Sequence, residues 1–320
     1  MLAALEFAFL ITAPVFFIIL TGAVLKRTGM ISDSFARTGS DLVFKVTLPC
    51  LLFVKLVQTD FQRELPWLLI GYALVATVVI FILLEREADR RLQESQDRGV
   101  FVQGSFRGNM GIVGLAYCFS AFGDSVVAPA SIYLAVMTTL YNVLAVLTLT
   151  RHQNESRIDA ASFRTRVLPM LISIGKNPLI LAIAAGVVVS VSGWKVPQVA
   201  LNTGEYLAQM SLPLALVCAG ASIRVREFTT SRPLYAATLA KLVVVPTAVT
   251  LGGLALGMRG ETLGILYLMM SAPTAAASYP MTLALGGSHH LAAAIIAATA
   301  IGSLFSTTFG LFILRSLQLL

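Results

Sequence analysis

Apolar residues run along this chain in long stretches, and polar residues are bunched in the short intervals between them. A helix crossing the ~30 Å hydrocarbon layer of a bilayer needs about 20 mostly apolar residues, because each residue rises 1.5 Å. Ten stretches meet that length: residues 6–25, 38–58, 66–85, 100–122, 126–150, 169–192, 197–221, 234–257, 262–286 and 291–314. The pattern predicts an all-α integral membrane protein with ten transmembrane helices. The longest polar intervals, 86–98 and 151–166, are too short to fold a soluble domain, so no appended catalytic module is expected. The first stretch carries Glu6, with no basic segment ahead of it and no small-residue cleavage pattern behind. It is expected to be retained rather than removed as a signal peptide.

Composition agrees with lipid as the main solvent. Of 320 residues, 57% are hydrophobic and 12% charged, where soluble domains carry roughly 25% charge. With the N-terminus outside, 15 of the 23 Lys and Arg fall in cytoplasmic intervals and four on the opposite side; the other four, Lys45, Lys55, Arg107 and Lys241, lie within stretches. Basic intervals are retained in the cytoplasm, so both termini are expected outside, in a bacterial inner membrane. The net charge of +7 then belongs to topology and anionic headgroups, not to nucleic acid.

Sliding the second half over the first at an offset of 164 pairs Pro14 with Pro178, Gly22 with Gly186, Gly29 with Gly193, Pro49 with Pro213 and Gly123 with Gly287. Chance gives roughly 0.9 Gly and 0.2 Pro coincidences, so the three and two found point to internal duplication. Five stretches per copy is an odd number, which inverts the second copy relative to the membrane. Residues 1–150 then form one five-helix unit, 151–168 a cytoplasmic linker and 169–320 the inverted unit. Inverted repeats provide two packings of similar energy, the basis of alternating access around a midplane site.

Such a site needs interrupted helices, whose freed N–H and C=O groups can hold a polar solute in lipid. The fourth stretch reads GSFRGNMGIVGLAY, with Gly104, Gly108, Gly111 and Gly114 around Asn109. The ninth reads MMSAPTAAASYPMTLALGG, with Pro273 and Pro280 bracketing Thr274 and Ser278, and it lies opposite the fourth at the same offset. Half-helix N-termini meeting there would favour an anion such as a carboxylate. Asn109 can donate and accept, or satisfy freed carbonyls. Arg107 adjoins the break and either pairs with an anionic substrate or snorkels to headgroups. Asn142 and Tyr133 of the fifth stretch are candidates to line the same cavity. Asp41 and Lys45 are spaced for an i,i+4 ion pair, while Lys55 and Lys241 are expected to snorkel. Cys50, Cys118 and Cys218 read as packing residues, and adjacent His289 and His290 lack ligand spacing, so no metal or other cofactor is expected. No P-loop is present, and no nucleophile with a base marks an intramembrane enzyme.

GNMGIVGLAY in the fourth stretch, NPLILAIAAG at 177–186, MSLPLALVCAGASI at 210–223 and SAPTAAASYP in the ninth occur in an order that resembles the auxin efflux carrier family. That family includes plant PIN-type carriers and prokaryotic malonate and malate carriers. The resemblance spans the full length. It implies a scaffold of helices 1, 2, 6 and 7, a mobile transport domain of helices 3–5 and 8–10, substrate where the fourth and ninth helices cross, and a homodimer through the scaffold. Asn109 matches the asparagine of the family's fourth-helix crossing. In the ninth, where many relatives carry a second asparagine, this chain has Thr274, Ser278 and prolines.

The expected function is therefore a secondary active or facilitative transporter of small organic anions, elevator-like, with Arg107, Gly108, Asn109, Gly111, Asn142, Pro273, Thr274, Ser278 and Pro280 as substrate-binding candidates. The rival is a sodium-coupled symporter of the bile-acid type, which shares an inverted five-helix repeat.

Overall fold

The computed structural model describes residues 1–58, 66–152, 176–223, 231–285 and 287–320. The expected linker beyond His152, the start of the sixth stretch and the basic residues Arg63, Arg157, Arg164, Arg166, Arg224 and Arg226 lie outside the described residues. Every regular element among those described is helical, as the apolar pattern predicts, and the one strand-like pairing is an isolated bridge.

The chain opens with α1 (Leu2–Arg27), followed by α2 (Asp33–Leu42) and α3 (Leu48–Val57), which a π-helical turn, Val43–Thr47, joins. After α4 (Trp67–Arg91) come α5 (Ser95–Phe106), a π turn at Met110–Gly114, α6 (Leu115–Phe122) and α7 (Val127–Arg151). The remainder comprises α8 (Pro178–Ser192), α9 (Gln198–Gln209), α10 (Ser211–Ala221), α11 (Arg232–Leu239), a π turn at Ala240–Val244, α12 (Val245–Ala255), α13 (Gly260–Ser271), α14 (Ser278–Leu285) and α15 (His289–Ser316). Among the described residues, five helical stretches are by themselves long and apolar enough to cross a membrane: Leu2–Arg27, Trp67–Arg91, Met110–Arg151, Arg232–Ala255 and His289–Ser316. Of the other predicted stretches, the sixth is described only as the short apolar helix Pro178–Ser192, and the rest are charged or divided, α9 from α10 at Met210 and α13 from α14 by residues 272–277.

Prolines account for two of the π turns. A proline ring clashes with the carbonyl four residues earlier and offers no N–H to it, so the preceding turn widens. Pro49 follows Val43–Thr47 in this way, and Pro246 follows Ala240–Val244.

Glycines set the closest helix contacts. A Cβ on Gly22 would lie 2.1 Å from the Val217 carbonyl oxygen, and one on Gly220 would lie 1.9 Å from that of Ile19, so α1 and α10 meet backbone to backbone. Gly186 of α8 sits against α3 in the same manner, its Cβ position 2.9 Å from Leu56 Cβ. In lipid such close approach carries the helix association, because apolar side chains gain little by leaving hydrocarbon.

Ion pairs anchor the ends. Arg151 pairs with Glu85 and, at 2.6 Å, with Asp89, while His152 Nε2 lies 3.0 Å from Glu85, which ties α4 to α7. Lys55 pairs with Asp124 at 3.0 Å. Asp41 and Lys45 pair at 2.8 Å, as their spacing predicts, with both side chains more than 60% exposed. Because the pair is a single i,i+4 contact on one helix and no other element covers it, Lys45→Gln is expected to change stability by no more than about 0.5 kcal/mol, read as an unchanged melting temperature in detergent.

Candidate functional site

The break in the fourth stretch begins where α5 ends. Arg107 turns to an extended backbone (φ −78°, ψ 98°), and helical bonding resumes with the π turn at Met110. The ninth breaks for a reason legible in its sequence: a residue before proline is pushed out of the helical region. Ala272 precedes Pro273 and adopts ψ 136°. The two extended segments then pair antiparallel, through a bridge between Gly108 and Thr274. Asn109 N–H donates to Pro273 O at 2.7 Å, and Ala275 N–H donates to Arg107 O at 3.0 Å. Gly108 suits the close approach, since a Cβ there would lie 3.0 Å from Lys241 Nζ and 3.3 Å from Ala272 O and would press on both.

A cavity of about 120 Å³ opens beside this crossing, where a single water needs about 10–15 Å³. It therefore admits a small solute. Arg107, Gly108, Asn109, Met110, Gly111 and Ile112 line one side, Ala275–Ala277 a second, and Leu134, Thr138, Tyr141 and Asn142 of α7 a third. Phe44 of the first π turn and Leu179 of α8 close it from the other bundle. The α7 residues fall at spacings of four, three and one, so they share a face. An aromatic ladder backs that face: Phe81, Phe106 and Tyr141 stack edge to face with centroids 5.7 and 5.4 Å apart.

Charge in the cavity has one sign. Arg107 is 6% exposed; it donates to Asn142 Oδ1 at 2.6 Å and contacts Met281 Sδ. A guanidinium carries five donors, so these two contacts leave donors over for a solute. No carboxylate lies within ion-pair distance of it among the described residues, and none lines the cavity. The first N–H groups of the Met110–Gly114 turn have no intrahelical acceptors and carry partial positive charge, whereas in α14 Ser278 and Tyr279 N–H are taken by Ala275 O and Ala276 O, at 2.9 and 3.2 Å, and Pro280 has none. Met110, Gly111 and Ile112 from the first, and Ala276 and Ala277 leading into the second, face the same space.

The sequence profile described as membrane transport protein matches residues 7–311 of the 320. The chain belongs to this family, that of the auxin efflux carriers. The uncharacterised transporter YfdV of Escherichia coli strain K12 is 25% identical over 268 residues, which cover 82% of this chain and 83% of that protein. The YfdV proteins of Escherichia coli O157:H7 and Shigella flexneri match to the same extent. This auxin efflux carrier family member is thus a multi-pass membrane transporter acting on a small-molecule substrate within a lipid bilayer, and its family is one of transporters rather than enzymes.

Within this carrier, five of the sequence candidates meet at the cavity: Arg107, Gly108, Asn109, Gly111 and Asn142. Pro273, Thr274, Ser278 and Pro280 build the crossing without lining it. Thr274 is 3% exposed; its hydroxyl donates to Gly104 O at 2.7 Å, and its N–H donates to Thr299 Oγ1 at 3.1 Å. Thr274→Val removes the first bond and leaves an α5 carbonyl unsatisfied, at a cost of about 1–3 kcal/mol. Its expected signature is a lower melting temperature with substrate affinity little changed. Tyr133 departs from expectation: it is fully buried and absent from the lining, because it points about 100° around α7 from Leu134. Lys241 departs further. Instead of snorkelling it is 0% exposed, and its ammonium donates to Met270 O at 3.1 Å and Phe106 O at 3.5 Å. Thr138 and Tyr141, on the same face as Asn142, could have been found from that spacing.

Proposed function

We propose that this protein carries small organic anions, mono- or dicarboxylates, across the bacterial inner membrane by alternating access, with the solute held in the cavity at the crossing. The observation that carries this reading is the convergence of a buried, carboxylate-free guanidinium with the N-terminal turn at Met110 and the main chain of Ala275–Ala277 on one small cavity. A carboxylate placed there gains charge-assisted hydrogen bonds from Arg107 and from main-chain N–H groups. Neutral solutes would leave the buried charge unanswered, and cations would be repelled.

The architecture behind this is ten helices in two inverted five-helix units. Two observations support it beyond the sequence offset: the breaks lie at matching positions and pair antiparallel, and Gly22 and Gly186, one offset apart, make equivalent contacts, the former on α10 and the latter on α3. Each unit's first helix thus packs on the other unit's second. Helices 1, 2, 6 and 7 form the scaffold, and helices 3–5 and 8–10 the moving body. Phe44 and Leu179 belong to the scaffold and the remaining lining residues to the moving body, so a sliding motion between the two would expose the solute to alternate sides in the manner of an elevator. The excess of Lys and Arg in the intervals of one side supports a topology with both termini outside, and the proposed homodimer forms through the scaffold.

The test is uptake of labelled malonate, malate and succinate into liposomes carrying the purified protein. At least one is expected to accumulate above protein-free liposomes, and Asn109→Ala is expected to lower its uptake by about tenfold, the loss of one charged-group hydrogen bond. Uptake of neutral or cationic solutes in preference to every carboxylate would overturn the reading.

A further inference from the structure

The carbonyl side of the crossing is as specific as its N–H side. α5 ends at Phe106 and α13 at Ser271, and each last turn leaves carbonyl groups without intrahelical donors and with partial negative charge. The two ends converge. A cation is favoured at such a point, and half-helix C-termini and unwound carbonyls are the groups from which a transporter can build a sodium site. Here the position is filled by the chain itself. Lys241 Nζ lies between Met270 O and Phe106 O, beside the Gly108 backbone, with no exposure to solvent and no carboxylate within ion-pair distance among the described residues.

The local sequence delivers it there. Lys241 lies in the π turn Ala240–Val244, widened ahead of Pro246, and this turn packs against both α5 and α15. An ammonium has three donors and no acceptor, so it suits a nest of carbonyl oxygens. It is also covalently fixed, so it cannot leave with the solute. A sodium ion entering the same nest would meet like charge at contact distance.

We propose that Lys241 is the resident cation of the crossing, holding the two half-helix C-termini together in place of a coupling metal ion, and that transport by this chain is therefore independent of sodium. The inference rests on the carrier reading above, but it makes a prediction that does not require the substrate to be known.

Uptake into proteoliposomes is compared in sodium and in choline media, and the melting temperature of the detergent-purified protein is measured in the same two salts. For the wild type, both quantities are expected to be the same in the two media. For Lys241→Ser, which leaves the nest empty and adds a hydroxyl oxygen, the melting temperature in choline is expected to fall, and sodium is expected to restore part of it. A wild type whose uptake or melting depends on sodium overturns the proposal. So does a serine variant that melts identically in both salts. Should the serine variant fail to fold, the wild-type comparison still decides. Should no carboxylate be carried, the transport reading fails while the melting comparison continues to test Lys241.

Discussion

Arg107→Gln abolishes most carboxylate uptake while leaving the melting temperature of the protein unchanged or higher. The loss follows from removing one partner of a buried, hydrogen-bonded charge pair between carrier and cargo, about 2–5 kcal/mol, or roughly 30-fold to several thousandfold in the rate at low substrate. The stability follows from the opposite side of the same argument. In the empty carrier the guanidinium is buried with no carboxylate near it among the described residues, a cost that the neutral, shorter glutamine does not incur. Uptake assays and thermal melting on the same preparation check both halves, and a variant that loses stability and transport together would make Arg107 a structural residue.

Gly220→Leu is expected to act in the reverse way, destabilising the fold with no direct contact to the cavity. Any Cβ at this position would lie 1.9 Å from the Ile19 carbonyl oxygen, so α1 and α10 must separate, and Gly22 loses its contact with Val217 in the same movement. Overpacking of this kind costs about 3 kcal/mol or more where backbone blocks backbone, which lowers the melting temperature by roughly 5–10 °C. Melting curves of the variant, beside Gly71→Leu as a control, measure it; a Cβ at Gly71 meets nothing within 4 Å.

These two residues also mark how far the sequence could be read. The helical class, both interruptions and the ion pair of Asp41 with Lys45 were legible, because run length, the Gly and Pro clusters and i,i+4 spacing are local signals. The meeting of Arg107 with Asn142 was half legible: both residues were candidates, but nothing local states that a side chain just past α5 reaches one on α7. Lys241 was misjudged. It lies seven residues into its stretch, about as deep as Arg107, and only the widened turn before Pro246 and the convergence of two distant C-termini turn it inward. Thr274 presented as a solute ligand because it is a hydroxyl at a break, whereas a freed carbonyl at Gly104 claims it first. Long-range partners decide such competitions, and a single chain read in order does not display them.

The joint between the interrupted helices is tied by amide groups, Asn109 to Pro273 and Ala275 to Arg107, and every residue type except proline offers the same N–H and C=O. Descendants of this gene can therefore exchange the handful of side chains around the hollow, and with them the preferred nutrient or waste product, without untying the knot that positions them. Diversification of cargo is cheap for such a machine, and diversification of that joint is not.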